Sequence, residues 1–115
     1  MRKLALTLLL TAAAALGADI SGTWQFEVQT DQGSGSPTFV LKQDGEKLTG
    51  TYSGAFGTAD VRGSVKGDDV VIEFDAAAGG ETGTVRYTGK LEGDSKMKGK
   101  VSLAGFSGTF TGVKK

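Results

Sequence analysis

Beyond residue 19 apolar and polar residues alternate along most of this chain, with the period of two expected of a strand that buries one face. Trp24, Phe26 and Val28 alternate with Gln25, Glu27 and Gln29, and Val70, Ile72 and Phe74 with Val71, Glu73 and Asp75. Val85, Tyr87 and Leu91 alternate with Arg86, Thr88 and Lys90; Met97, Val101 and Leu103 alternate with Lys96, Lys98, Lys100 and Ser102. No helical period interrupts them. The pattern predicts eight strands, over residues 22–30, 37–43, 46–53, 58–66, 69–75, 82–91, 96–103 and 106–113.

The connections suggest how these strands are arranged. Asp44-Gly45, Gly67-Asp68 and Gly93-Asp94 read as two-residue hairpin turns. Residues 31–36, 54–57, 76–81 and 104–105 read as longer loops. Tight and long connections therefore alternate, which in an up-and-down sheet gathers the tight turns at one end and the longer loops at the other. Eight strands in this order can close on themselves and remove the exposed edges. The expected fold is all-β: an eight-stranded antiparallel up-and-down (meander) β-barrel. Its charged residues fall on the outward face, the reverse of an outer-membrane barrel, so no membrane insertion is expected. Gly50, Gly63, Gly89, Gly99 and Gly108 fall on the apolar face. Glycine there permits a sharp bend or leaves room for a large neighbour.

The first eighteen residues follow another pattern. A basic start, Met1-Arg2-Lys3, precedes an apolar stretch over 4–10 broken only by Thr7, then Ala12 to Ala15, then the small residues Gly17 and Ala18. This is the three-part form of a secretory signal peptide. Its apolar run falls short of the roughly 20 residues a membrane-spanning helix needs. Residues 1–18 are expected to be removed near Gly17 or Ala18, leaving residues 19–115 as a single secreted or periplasmic domain.

Short elements also carry a resemblance. Gly22-Thr23-Trp24 at the first strand, and Leu48-Thr49-Gly50-Thr51-Tyr52-Ser53 at the third, resemble the opening of the avidin and streptavidin family, with an echo in Thr109-Phe110-Thr111. The Gly-x-Trp element is also similar to that of lipocalins. The resemblance implies an eight-stranded up-and-down barrel with a site at its open end, Trp24 plugging the closed end, and Tyr52 at the position of a ligand-contacting tyrosine. Avidins line their site with several tryptophans; this chain has one, so biotin is not implied.

Composition narrows the chemistry. Without Arg2 and Lys3 the 13 basic side chains fall two short of the 13 acidic ones, so no nucleic-acid partner is expected. The absence of histidine and cysteine excludes His-assisted nucleophiles and zinc sites built from imidazole or thiolate. It also leaves the domain without disulfides. The strand acids face outward, so no carboxylate pair flanks a cleft. Asp68-Asp69 reads as a solvated turn. Gly79-Gly80 reads as a loop rather than a phosphate cradle, because no helix follows it. Neither catalysis nor a metal or other cofactor is expected.

The aromatics supply the candidate site. Trp24 and Phe110 are assigned to the tight-turn end. Phe39, Tyr52 and Phe74 point inward near the longer loops; Phe56 lies within one loop and Phe106 follows another. These five either cap the core or form an apolar mouth for a small apolar or amphipathic ligand. The alternatives are a protein-interaction module, such as a protease-inhibitor-like barrel, or a structural envelope protein. A basic stripe of Arg86, Lys90, Lys96, Lys98 and Lys100 is either a solvated face that discourages aggregation or a docking surface for anionic polymers or an acidic partner.

Overall fold

In a computed structural model, which describes residues 19–78, 81–103 and 106–115, the alternating segments form one antiparallel sheet. Its strands are β1 (Gly22–Thr30), β2 (Gly33–Gly35), β3 (Thr38–Asp44), β4 (Lys47–Gly54), β5 (Gly57–Lys66), β6 (Asp69–Ala78), β7 (Glu81–Glu92), β8 (Lys96–Leu103) and β9 (Phe106–Lys114). From β3 to β9 each strand pairs with the next, and β1 pairs with both β3 and β9. The meander is therefore a closed barrel of eight main strands, as the alternation predicts. The expected export segment, residues 1–18, lies outside the described residues.

Two features depart from the sequence expectation. The first is β2, a three-residue return that pairs Gly35, Ser34 and Gly33 with Val28, Gln29 and Thr30. It covers the half of β1 that β3 does not reach, since β3 pairs only with residues 22–25. Residues 31–37 thus form a strap along the barrel rim. Gln25 Nε2 donates to the Ser36 carbonyl at 3.0 Å, and the Phe26 amide donates to the Pro37 carbonyl at 3.0 Å.

The second is that connections do not alternate in length. Gly54 pairs with Gly57, Ala78 with Glu81 and Leu103 with Phe106, so only two residues separate the partners in each supposedly longer loop. At the other end Gly45-Glu46 and Gly67-Asp68 are two-residue turns, the first one position later than expected, and residues 93–95 make a three-residue turn. Gly45, Gly67 and Gly93 take φ of 65°, 62° and 77°, a region that glycine enters without the Cβ penalty. The strap is the only long connection among the described residues. Which connections share an end is unchanged.

The interior is filled. Trp24, Phe26, Phe39, Phe74, Leu48, Ile72 and Met97 are fully buried, together with Ile20. Ile20 lies under the closed end: its carbonyl accepts from Trp24 Nε1 at 2.9 Å and its amide donates to Gln43 Oε1 at 2.9 Å. Above it the aromatic rings form a continuous stack. Phe26 lies 4.9 Å from Phe110 and 4.6 Å from Phe39, and Tyr52 lies 4.0 Å from Phe74. Such pairs add about 0.5–1.5 kcal/mol each beyond the area they bury.

Inward glycines allow this packing in two ways. At Gly89 the Phe110 ring tip occupies the space a side chain would take, and at Gly112 the Phe26 ring does so. At Gly63 and Gly99 a Cβ would run into a backbone carbonyl of a neighbouring strand, that of Val71 on β6 or Thr88 on β7. These are the corners where the sheet folds sharply enough to close. Phe110 is mid-barrel rather than at the tight-turn end, stacked on Phe26 opposite Gly99.

Candidate functional site

Above the buried side chains of the lower barrel, an inward concavity lies at the end carrying the strap, the Ala55-Phe56 turn and the start of β9. Two adjoining clefts open there. The larger, about 320 Å³, lies between the strap and the β4–β5 turn. The smaller, about 90 Å³, lies between β7 and β9 beside Phe106. Val28, Thr30, Phe56 and Tyr87 line both, so the two form one mouth. The larger cleft is at the low end of the volumes usual for small-molecule sites.

The strap is held in shape by its own side chains. Thr30 Oγ1 donates to the Gly33 carbonyl at 3.0 Å and accepts from the Gln32 amide at 3.0 Å. Ser36 Oγ donates to Glu27 Oε1 at 2.8 Å on the outer surface. Across the cleft, Tyr52 Oη accepts from the Phe56 amide at 3.3 Å, and Gly57 at φ 89° brings the chain back into the ladder. This bond ties the turn to the rim while the Phe56 ring stays 40% exposed. Phe106, at the start of β9, is 49% exposed.

The five residues chosen from sequence divide. Tyr52, Phe56 and Phe106 line the mouth. Phe39 and Phe74 are fully buried beneath it and line neither cleft; Phe74 stacks under Tyr52. Phe39 lies deep because β3 starts low on β1, which sets it opposite Trp24. Phe74 lies deep because β6 continues four residues past it, to Ala78.

Tyr87 was absent from the sequence-based set, yet it forms the floor shared by both clefts. Its ring packs edge-on against Phe26, Phe39 and Phe110 at 5.1–5.5 Å. No polar side-chain atom sealed from solvent lacks a partner among the described residues. Among the described residues the Tyr87 hydroxyl makes no hydrogen bond, and Tyr87 lines both clefts. Burial, with a smaller contribution from Tyr52, raises its phenol well above the ordinary value of 10, so it keeps its proton across the physiological range.

The mouth supplies hydrogen-bonding groups and apolar surface but no metal site: among the described residues no three His, Cys, Asp or Glu side chains come together. The basic stripe lies outside the barrel, on β7 and β8. Lys90 stands opposite Lys98 and Thr88 opposite Lys100. Much of its charge is locally matched. Arg86 pairs with Glu73 at 2.7 Å, Lys98 with Glu92 at 3.3 Å, and Lys90 with Asp69. Exposed pairs of this kind add little to stability. Next to them Arg62 bridges Glu73 and Asp75, and hydrogen bonds from Arg62 and Thr84 hold the Asp75 carboxyl below its ordinary range.

No protein-family profile matches the chain, and no curated protein matches it. A solved structure does: "Structure of a redesigned beta barrel, mFAP1, bound to DFHBI" superposes with a TM-score of 0.63 at 12% identity, over 84% of this chain and 94% of that one. At that identity the likeness is one of fold. It agrees with an up-and-down β-barrel and does not separate the avidin resemblance from the lipocalin one.

Proposed function

We propose that this chain is an exported, non-catalytic binding barrel that takes a small apolar or amphipathic molecule at the mouth bounded by the strap, Phe56 and Phe106. One observation carries the reading: two half-exposed phenylalanines flank a concave, mostly apolar surface whose floor is a tyrosine that makes no hydrogen bond among the described residues. Phenylalanine gains nothing from facing water, and concave apolar sites with a few polar groups are the usual form of small-molecule sites. The designed barrel bound to DFHBI supports the reading, because the same fold there holds a small molecule at 94% coverage of that chain. Export rests on the three-part N-terminus of residues 1–18.

The experiment is the double change Phe56→Ala and Phe106→Ala, with N-phenylnaphthylamine as a neutral fluorescent probe. Binding and thermal unfolding are measured on one preparation. The expected result is a loss of more than about 1–2 kcal/mol in probe affinity, typical of a lost anchor, with little change in melting temperature because both rings are largely outside the packed core. Unchanged affinity with a lowered melting temperature would make the two rings a lid. Unchanged affinity with unchanged stability would favour the second reading that exposed rim phenylalanines invite, insertion into a protein partner.

A further inference from the structure

The described residues that line the two clefts include Val28, Tyr52, Phe56, Val85, Tyr87 and Phe106, with Thr, Ser, Gln, Gly and Pro from the strap and rim, and none of those described is Lys, Arg, Asp or Glu. Charged residues make up 23% of the sequence, so a described lining without them sets this end of the barrel apart. An ionised group entering it would lose water and meet no counter-charge, a cost of several kcal/mol per ion. A neutral polar atom would lose only what a single hydrogen bond can restore.

From this composition, and resting on the proposed binding role, we infer that the mouth selects uncharged ligands: neutral aromatic or amphipathic molecules with a hydrogen-bond acceptor directed at the Tyr87 hydroxyl. Carboxylates and sulfonates of the same shape are rejected. Tyr87 suits the task for three reasons. It is shared by both clefts, so a ligand in either reaches it. Its ring is clamped by Phe26, Phe39 and Phe110, which fixes the position of its hydroxyl oxygen. Its phenol stays protonated and can donate. Tyr52 accepts from the Phe56 amide, a bond that does not use its proton, but it lines only the larger cleft. The strap hydroxyls of Thr30 and Ser36 already donate, to Gly33 and Glu27.

Three naphthalene probes test this on the intact barrel. N-phenylnaphthylamine and anilinonaphthalene sulfonate share one skeleton and differ by the sulfonate; a propionyl-dimethylaminonaphthalene is neutral and adds one ketone. The neutral amine is expected to bind at least about tenfold more tightly than the sulfonate, the minimum that an unpaired buried charge imposes. Tyr87→Phe keeps the ring and the packing, and the melting temperature verifies this. It is expected to weaken the ketone about fivefold, the value of one hydrogen bond, and to leave the amine unchanged. A sulfonate that binds as tightly as the amine overturns the charge selection and leaves the binding role standing. Equal effects of Tyr87→Phe on ketone and amine, or none on either, overturn the role of the hydroxyl. If neither neutral probe binds, the binding role itself fails.

Discussion

Replacing Trp24 by alanine is expected to remove about 3–5 kcal/mol of stability, the range for a large aromatic taken from a packed core. The side chain is 0% exposed. It stands where the barrel closes, opposite Phe39 on β3 and Lys114 on β9, so all three strands of the seam pack around it. Its indole nitrogen also secures Ile20 under the closed end, and alanine frees that segment as well as opening a cavity. Domains of this size hold about 5–15 kcal/mol in total, so the variant would unfold at a much lower urea midpoint or fail to accumulate. Trp24 is the only tryptophan, so the transition is followed by circular dichroism rather than by indole fluorescence. Trp24→Phe separates the two contributions: it retains much of the volume, and losing the bond to the Ile20 carbonyl costs about 1 kcal/mol. A Trp24→Ala protein with the parent's midpoint would remove Trp24 from the seam.

Gly63→Ala is the second large effect, and its sign goes against propensity. In an ordinary strand alanine is better than glycine by roughly 0.5–1 kcal/mol. Here the new methyl would collide with the Val71 carbonyl, which is backbone and cannot rotate aside. The corner between β5 and β6 must open, at a cost typical of overpacking, about 1–3 kcal/mol or more. Gly35→Ala is the control. Nothing lies within 4 Å of a Cβ at that position, so the reduced freedom of the unfolded chain is expected to stabilise the protein by about 0.4–1 kcal/mol. Urea denaturation of the two variants should therefore shift in opposite directions. A Gly63→Ala protein as stable as the parent would mean that the corner is not sharp.

The barrel was legible because alternation and turn glycines are local signals that persist from strand to strand. Every strand from 96–103 back to 22–30 begins within a residue or so of its predicted start. Loop length was less legible for a physical reason. In a coiled sheet glycine and alanine mark both turns and strand corners, so Ala76 to Ala78 read as loop although they continue the ladder opposite residues 81–83. The site was half legible. Phe56 and Phe106 lie next to turn signals, and their exposure follows from that. Phe39 and Phe74 were set too near the rim because distance along a strand is not height in a staggered barrel. Tyr87 was missed because its alternation is that of any core residue. It faces a cleft only because the strap, paired with the far half of β1, stands off from β7, and no spacing within β7 encodes that.

The claim that this barrel binds at its strap end is tested most directly by amide chemical-shift mapping with N-phenylnaphthylamine on isotopically labelled protein. The probe is expected to shift amides of residues 28–37, 55–57, 85–87 and 106–107, and to leave the turns at 45–46, 67–68 and 93–95 unmoved. Shifts confined to the outward faces of β7 and β8, or centred on those three turns, would place the binding surface elsewhere and contradict the account.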